Sequence, residues 1–335
     1  MQYRYVGASG LKVSPLTLGT MMFGDATDEA TSQNIIASAR ALGVNSIDTA
    51  DVYNGGESER VVGRALKQDR DWWVLATKLA NPTGEGPNGV GISRKWINQA
   101  VEASLKRLDT PHLDILYLHK EVPGAPLGEA VRAIADLIRQ GKIRYFGLSN
   151  FRGWRIAEVC RLADEMGIDR PVASQPLYNA LTRQAENEQL PAAAHYGIGV
   201  FPYSPLARGV LTGKYLPNAE PPGDSRAARK DKRLMQTEFR AESIEIAQRI
   251  KAHAETRGMT AADFALAWVL GNPIVTSAIV GPRTQAHWDG YARVLDFNVT
   301  AEDDAFVDSL IAPGHPSTPG YNDPAYPIEG RPARK

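Results

Sequence analysis

Residues 43–59, GVNSIDTADVYNGGESE, decide how the rest of the chain is read. A short buried run ends on an acid, Asp48. Tyr53 follows five positions later, Asn54-Gly55-Gly56 turns the chain, and Ser58 opens a helical pattern. A strand that ends in an acid, a loop that presents a phenol and a helix behind it make one βα unit, with its polar residues at the strand's exit.

The same plan extends in both directions. Upstream, Ile35, Ala39 and Leu42 share a helix face that Gly43 stops. Before that helix, residues 15–19 read as a buried strand and residues 3–13 as a hairpin around Gly7-Ala8-Ser9-Gly10. Downstream, residues 72–77 form a strand that delivers Lys78, and residues 81–91 form a Pro/Gly loop. Ser93 caps a helix with Ile97, Val101, Leu105 and Leu108 at helical spacing. Residues 113–118 make an apolar strand ending at His119. A helix with Ala130, Ile134 and Leu137 closes at Gly141, and residues 143–148 run into Ser149-Asn150. A helix with Ile156, Val159, Ala163 and Met166 stops at Gly167, and residues 171–174 lead to Gln175. A helix over 184–195 precedes strand 198–201, which leads to Tyr203-Ser204. Helices resume near Ala241, and residues 276–280 form the last strand, ending at Gly281. Further helices start at Thr284 and Ala301.

Eight apolar strands separated by helices imply parallel pairing through right-handed crossovers, buried on both faces. The expected fold is a single (β/α)8 barrel, a TIM barrel, over residues 1–335. Residues 216–234, rich in Pro, Gly and charge, read as a flexible loop with the option of acting as a lid. Residues 312–335, with six prolines, read as an irregular tail. A doubly wound open sheet is the alternative, but no Gly-x-Gly-x-x-Gly follows any strand.

Composition narrows the function classes. Lys+Arg and Asp+Glu both number 38, so neither nucleic acid nor an anionic membrane is expected as a bulk electrostatic partner. A single cysteine, Cys160, permits no internal disulfide, which fits a reducing cytoplasm. No apolar run approaches the ~20 residues of a membrane span, and the first residues lack a signal peptide's apolar core. A soluble cytoplasmic protein is expected, with no metal site.

In a barrel of this kind the strand exits share one face. Here they carry Asp48, Tyr53, Lys78, His119, Ser149, Asn150, Gln175, Tyr203 and Gly281. Any one of these has an ordinary structural explanation, as a cap, a core histidine or a solvated lysine. An acid, a phenol, a lysine and an imidazole on one rim have a chemical one. A phenol with a pKa near ~10 exchanges protons poorly at neutral pH, and an adjacent cation favours its phenolate. Lys78 can be that cation, Asp48 can hold Lys78, and His119 can orient a substrate oxygen. A tuned tyrosine supplies the proton of a carbonyl reduction. The hydride must come from a nicotinamide.

These residues carry a resemblance. The run GVNSIDTADVYNGGESE, Lys78 after WWVLAT, His119 after DILYL, GLSN at 147–150 and YSPLARGVLTGKY at 203–215 are similar, in order, to the signature motifs of the aldo-keto reductase superfamily, in its potassium-channel beta-subunit-like branch. The resemblance implies a (β/α)8 barrel plugged at its bottom by the 3–13 hairpin and NAD(P)H-dependent reduction of aldehydes or ketones. It implies Tyr53 as general acid, Lys78 and Asp48 as its tuning pair, and His119 as the carbonyl-positioning residue. It places Ser149, Asn150 and Gln175 at the nicotinamide amide and Tyr203 against the nicotinamide ring. Ser204, Leu206, Gly209 and Lys214 fall at the pyrophosphate, Gly19, Thr20 and Met21 beside the cofactor, and Gly281, Pro282 and Arg283 at the adenosine end. Arg283, whose fork suits a 2′-phosphate, favours NADPH/NADP+ over NADH. His287 and Tyr291 depart from the Gln and Asn that relatives often carry, and Asn54 replaces a common Gly.

Residues 22–23, 79–80 and 120–121, with Tyr321 and Tyr326, are candidates for selecting a small-molecule aldehyde or ketone. They leave aromatic, aliphatic and sugar-like substrates open. The resemblance admits a second function, a cofactor-holding regulatory or binding subunit with little turnover. A Schiff-base lyase using Lys78 is a third, opposed by the expected ion pair with Asp48. Relatives include monomers and closed rings, so a homo-oligomer stays open.

Overall fold

The computed structural model describes residues 1–223, 225–328 and 330. Asp224, within the 216–234 loop expectation, and Glu329 and residues 331–335, within the tail expectation, lie outside the described residues. The strands are β1 (Arg4–Tyr5), β2 (Lys12–Val13), β3 (Leu16–Gly19), β4 (Ser46–Asp48), β5 (Val74–Leu79), β6 (Leu113–Leu118), β7 (Ile143–Ser149), β8 (Ala173–Gln175), β9 (Gly199–Val200) and β10 (Ala278–Val280). The helices are α1 (Glu29–Leu42), α2 (Glu57–Leu66), α3 (Arg94–Leu108), α4 (Leu127–Arg139), α5 (Gly153–Met166), α6 (Gln189–Tyr196), α7 (Lys232–Gln236), α8 (Ala241–Thr256), α9 (Ala261–Gly271), α10 (Gln285–Ala292) and α11 (Ala301–Leu310).

Two compact units organise these elements. The first is Met1–Leu177, Asn187–Tyr203 and Asn272–Ala292. It holds an eight-stranded parallel sheet in the order β10-β3-β4-β5-β6-β7-β8-β9. The two ends of that list meet. Thr276 N–H donates to Val200 O at 2.8 Å and Ile279 N–H to Pro202 O at 2.9 Å, which closes the sheet on itself. This is the eightfold βα architecture expected from the strand and helix alternation.

The hairpin β1–β2 is antiparallel, with Arg4 opposite Val13. Its Val6 and Val13 are fully buried, in one cluster with Val74, Ala76, Ile115, Tyr117, Ala173, Phe201 and Ile279. It closes the barrel at the strands' N-terminal ends. Ala8 N–H donates to Gly197 O at 2.7 Å. Gly7, at φ 56°, sits so close that a Cβ there would lie 2.1 Å from Gly197 O, so only glycine fits.

Local sequence explains most helix bounds. Asp28 caps α1 through the Thr31 amide and Ser93 caps α3 through the Trp96 amide. Gly43 and Gly167 end α1 and α5 in the left-handed region. Three details differ from the expectation. Leu42 is exposed while Ile35 and Ala39 are buried. Trp72 ends a short 3-10 turn, and β5 starts at Val74 and includes Lys78. The predicted helix over 184–195 is a 3-10 turn (Gln184–Glu186) followed by α6. Proline 191 forbids a continuous run of amide donors there.

The second unit is Tyr178–Glu186, Ser204–Gly271 and Arg293–Lys335. Arg183 is its internal tie. Its side chain is buried and donates to Glu186 at 2.9 Å, Asp308 at 2.6 Å and Ile311 O at 2.8 Å. A capping box, Thr300 with Asp303, starts α11. Among the described residues no helix is long and apolar enough to cross a membrane, and no group of three or more His, Cys, Asp or Glu could hold a metal ion.

Candidate active site

The exits of β4, β5, β6, β7 and β8 bring one polar network together in the first unit. Lys78 is fully buried because β5 continues through it, and its aliphatic stem fills the space inside the strand ring. Its ammonium donates to Asp48 Oδ1, to Thr49 O at 2.8 Å and to Tyr53 Oη at 3.2 Å. All three donor directions are used, and two oxygen partners are on the same short stretch after β4. Burial alone would drive the Lys78 ammonium toward the neutral amine, but Asp48 and Tyr53 outweigh it and hold its pKa above the ordinary value. Lys78 is a resident cation with a phenol in its coordination sphere.

Gln175 holds the other Asp48 oxygen, donating to Oδ2 at 3.0 Å from β8. The buried carboxylate is thus oriented from two sides. Tyr53 starts the short turn Tyr53–Gly56. Asn54, which replaces a common glycine, holds a left-handed φ of 50°, a region asparagine tolerates. Its amide also donates to Met21 O at 3.1 Å and Phe23 O at 2.8 Å, which ties the Tyr53 turn to the loop after β3. The departure from glycine therefore supplies a tether.

His119 stands edge-on to Tyr53, with ring centroids 6.0 Å apart and planes at 83°. Burial, then the charges of Lys78 and Lys120, hold its pKa well below the ordinary imidazole value, so it is neutral at pH 7. Asn81 Nδ2 lies 3.0 Å from His119 Nδ1. With that amide as donor, the neutral ring carries its hydrogen on Nε2. Asn81 was missed in the sequence, where it reads only as the first residue of a Pro/Gly loop.

Asn150 links this group to the next strands. It donates to His119 O at 2.9 Å and to Ser149 Oγ at 3.0 Å, and it accepts from Tyr203 Oη at 2.8 Å. Ser149 Oγ donates to Gln175 O at 3.0 Å. Asp48, Tyr53, Lys78, His119, Ser149, Asn150, Gln175 and Tyr203 are therefore one connected set.

The other predicted residues have these surroundings. Thr20 is fully buried; its hydroxyl meets Asp48 O at 3.1 Å and Ser58 Oγ at 2.8 Å, and Thr49 joins the same hydroxyl group at 2.9 Å. Gly19 is buried at the end of β3 and Met21 is exposed. Gly281 follows β10 beside Gly19, Pro282 is buried, and Arg283 O accepts from Thr27 Oγ1 at 2.9 Å. Arg283 N–H meets His287 Nδ1 at 3.4 Å, so the unexpected histidine serves the turn into α10. In the second unit, Ser204, Ala207, Arg208 and Gly209 all hold positive φ, and Leu206 is buried. Lys214 Nζ lies 3.3 Å from where a Gly209 Cβ would stand. Ala207 N–H donates to Ser204 O at 2.9 Å and Gly209 N–H to Leu206 O at 2.8 Å, which holds this left-handed turn together.

Of the substrate-selecting candidates, Phe23, Leu79 and Ala80 are buried, and Glu121 is engaged by Arg152 at 2.8 Å. Tyr321 belongs to the second unit, stacked 3.8 Å from the Arg240 guanidinium. One further residue went unread. Tyr117, inside β6, is a second buried phenol near Asp48 and Gln175. Burial, reinforced by the Asp48 charge, pushes its pKa well above the ordinary value, and Gln175 opposes this only in part. Two tyrosines thus share Asp48 as a neighbour, and Tyr53 is the one in contact with the ammonium.

Comparison with known proteins agrees with this arrangement. The family model described as the aldo/keto reductase family matches residues 15–312. A probable voltage-gated potassium channel subunit beta of Arabidopsis thaliana is 37% identical over 302 residues, covering 88% of this chain and 92% of that protein. An uncharacterised oxidoreductase of Bacillus subtilis, YrpG, is 38% identical over 314 residues, covering 90% and 93%. The L-glyceraldehyde 3-phosphate reductase of Escherichia coli K12 is 32% identical over 329 residues, covering 94% and 93%. With the match spanning nearly the whole strand ring and every residue of the network above, the chain belongs to the aldo/keto reductase family.

Proposed function

We propose that this protein is an NADPH-dependent reductase of aldehydes or ketones. The single observation that carries the reading is the Lys78 ammonium held between Asp48 and the Tyr53 hydroxyl, 3.2 Å from the latter. When bound, the dihydronicotinamide supplies the hydride that a side chain cannot. Tyr53 gives its proton to the carbonyl oxygen as the carbon accepts the hydride, so C=O becomes CH–OH. Lys78 stabilises the phenolate left behind, and Asp48 with Gln175 holds Lys78 in place. His119, neutral and protonated on Nε2, donates a hydrogen bond to the same oxygen.

The donor set fits the cofactor. Asn150, Ser149 and Gln175 offer amide and hydroxyl groups beside the Tyr203 ring, as a nicotinamide amide and ring require. Ser204, Leu206, Gly209 and Lys214 are assigned to the pyrophosphate, Gly19, Thr20 and Met21 to the cofactor's flank, and Gly281, Pro282 and Arg283 to its adenosine end. Arg283 is the reason for preferring NADPH to NADH. The substrate class, a small aldehyde, is supported by the name of the Escherichia coli relative.

The test is Tyr53→Phe with a panel of carbonyls and both cofactors. Loss of ~10²–10⁴-fold in kcat is expected, and full turnover without the hydroxyl would end the assignment. A second reading has specific support: plant and yeast relatives of 37–39% identity are named as potassium channel beta subunits. Tight NADP+ binding with negligible turnover on every carbonyl would favour that reading. Lyase chemistry is disfavoured, because Asp48 keeps the Lys78 amine protonated.

A further inference from the structure

A second set of buried ions lies next to the site and has no part in the reaction described above. Asp51 follows the β4 exit by three residues and precedes Tyr53 by two. Its side chain is almost fully buried. Oδ1 is buried with no hydrogen-bond partner, and Oδ2 accepts from the Thr83 hydroxyl at 3.3 Å. Its main-chain N–H donates to Lys78 O at 3.1 Å. The charged groups facing it are Glu59 from α2 and Arg107 from α3. Glu59 is fully buried and fully served, accepting from Thr77 Oγ1 at 2.6 Å and Arg107 Nε at 2.5 Å. Two carboxyls therefore share one guanidinium, and Glu59 holds it. A buried carboxylate without donors costs several kcal/mol, so the cheaper state of the poorly served acid is the protonated one.

We propose that Asp51 is a positioning residue for the Tyr53 turn that works with its carboxyl protonated, and that loss of this proton slows carbonyl reduction. The inference rests on the reading of Tyr53 as the proton donor. Burial, then the Glu59 charge, raises the Asp51 pKa to about 7, with Arg107, Thr83 and the Val52 amide opposing. When the proton leaves, a bare oxygen must recruit a donor. The cation facing it is Arg107, whose Cδ would lie 2.7 Å from a Cβ on Gly56, the last residue of the Tyr53 turn. Drawing Arg107 from Glu59 toward Asp51 disturbs that packing. The new negative charge also disfavours the phenolate that Tyr53 becomes on giving up its proton.

The experiment measures kcat/KM for reduction from about pH 5.5 to about pH 9 with saturating NADPH, for the native protein, Asp51→Asn, Thr83→Val and Tyr53→Phe. Native kcat/KM falls several-fold across the neutral region. Asp51→Asn, which cannot ionise, lacks that limb. Thr83→Val removes a bond that favours the carboxylate and moves the limb to higher pH. Infrared difference spectra of native against Asp51→Asn show a protonated-carboxyl band below neutrality that vanishes above it. An Asp51→Asn profile that keeps the native limb overturns the inference, as does absence of the carboxyl band. If Asp51→Asn does not fold, an unmoved limb in Thr83→Val overturns it. Full turnover by Tyr53→Phe removes the underlying reading as well, whereas an inactive Tyr53→Phe with an unchanged Asp51→Asn profile removes only the role of Asp51.

Discussion

Two groups of buried ions stand on adjacent turns of this protein, and their charges balance differently. In one, Asp48 and Lys78 match one to one; every direction of the ammonium is used and both carboxylate oxygens are held. In the other, Asp51 and Glu59 share Arg107, and one oxygen of Asp51 has no donor. The carboxyls are buried alike in both, although Arg107 is partly exposed where Lys78 is not. Burial raises the pKa of both acids, and the two groups differ in what opposes it: Lys78 and Gln175 at Asp48, against Thr83 and a shared Arg107 at Asp51. A matched pair gives a cation that stays charged, as the proposed role of Tyr53 requires. A mismatched trio gives a group that changes state near neutrality.

The largest effect comes from breaking the matched pair. Lys78→Met strands Asp48 as a buried, uncompensated charge. Its expected cost is about 3–5 kcal/mol of stability, together with ~10²-fold or greater loss of turnover; denaturant unfolding and steady-state kinetics measure the two. Arg107→Met unbalances the other group further. It is also expected to destabilise by about 3–5 kcal/mol at pH 8, but clearly less at pH 5, where Asp51 carries its proton. Equal losses at the two pH values would show that the cluster does not titrate.

A smaller effect sharpens the contrast. The folded Asp51 pKa is raised above its unfolded value, to about 7. The stability that its proton brings is complete below the unfolded carboxyl range and is lost as pH rises to about 7. Asp51→Asn has no such slope. Its melting temperature relative to native is expected to rise between pH 5 and pH 8, by the equivalent of about 1–3 kcal/mol at roughly 1.4 kcal/mol per pKa unit. The smallest effect is a control. Lys67 and Asp109 pair at 3.2 Å with about 70% of each side chain exposed. Lys67→Ala is expected to change stability by less than about 1 kcal/mol, and the difference should shrink in salt.

Much of the site was legible beforehand. Asp48, Tyr53, Lys78 and His119 could be named because each ends, or follows closely, an apolar run, and the parallel alternation puts such ends on one rim. Asn81 and Tyr117 could not. Asn81 lies in a loop whose path carries no periodic signal, and Tyr117 looks like any aromatic residue inside a buried strand. Phe23, Leu79 and Ala80, read as substrate-selecting because they sit at exits, are buried there.

The order of residues by itself determined the strand and helix alternation, the parallel closure and which polar side chains follow the apolar runs, since these follow from periodicity and from short-range punctuation by Gly43, Ser93 and Gly167. Only the tertiary structure decided which carboxyl is served and which is not. Asp48 and Asp51 are three residues apart with similar neighbours in sequence. Their donors come from β8, from β5 and the loop after it, and from α3 by way of Glu59, and charge balance in a buried site depends on distances that no linear spacing encodes.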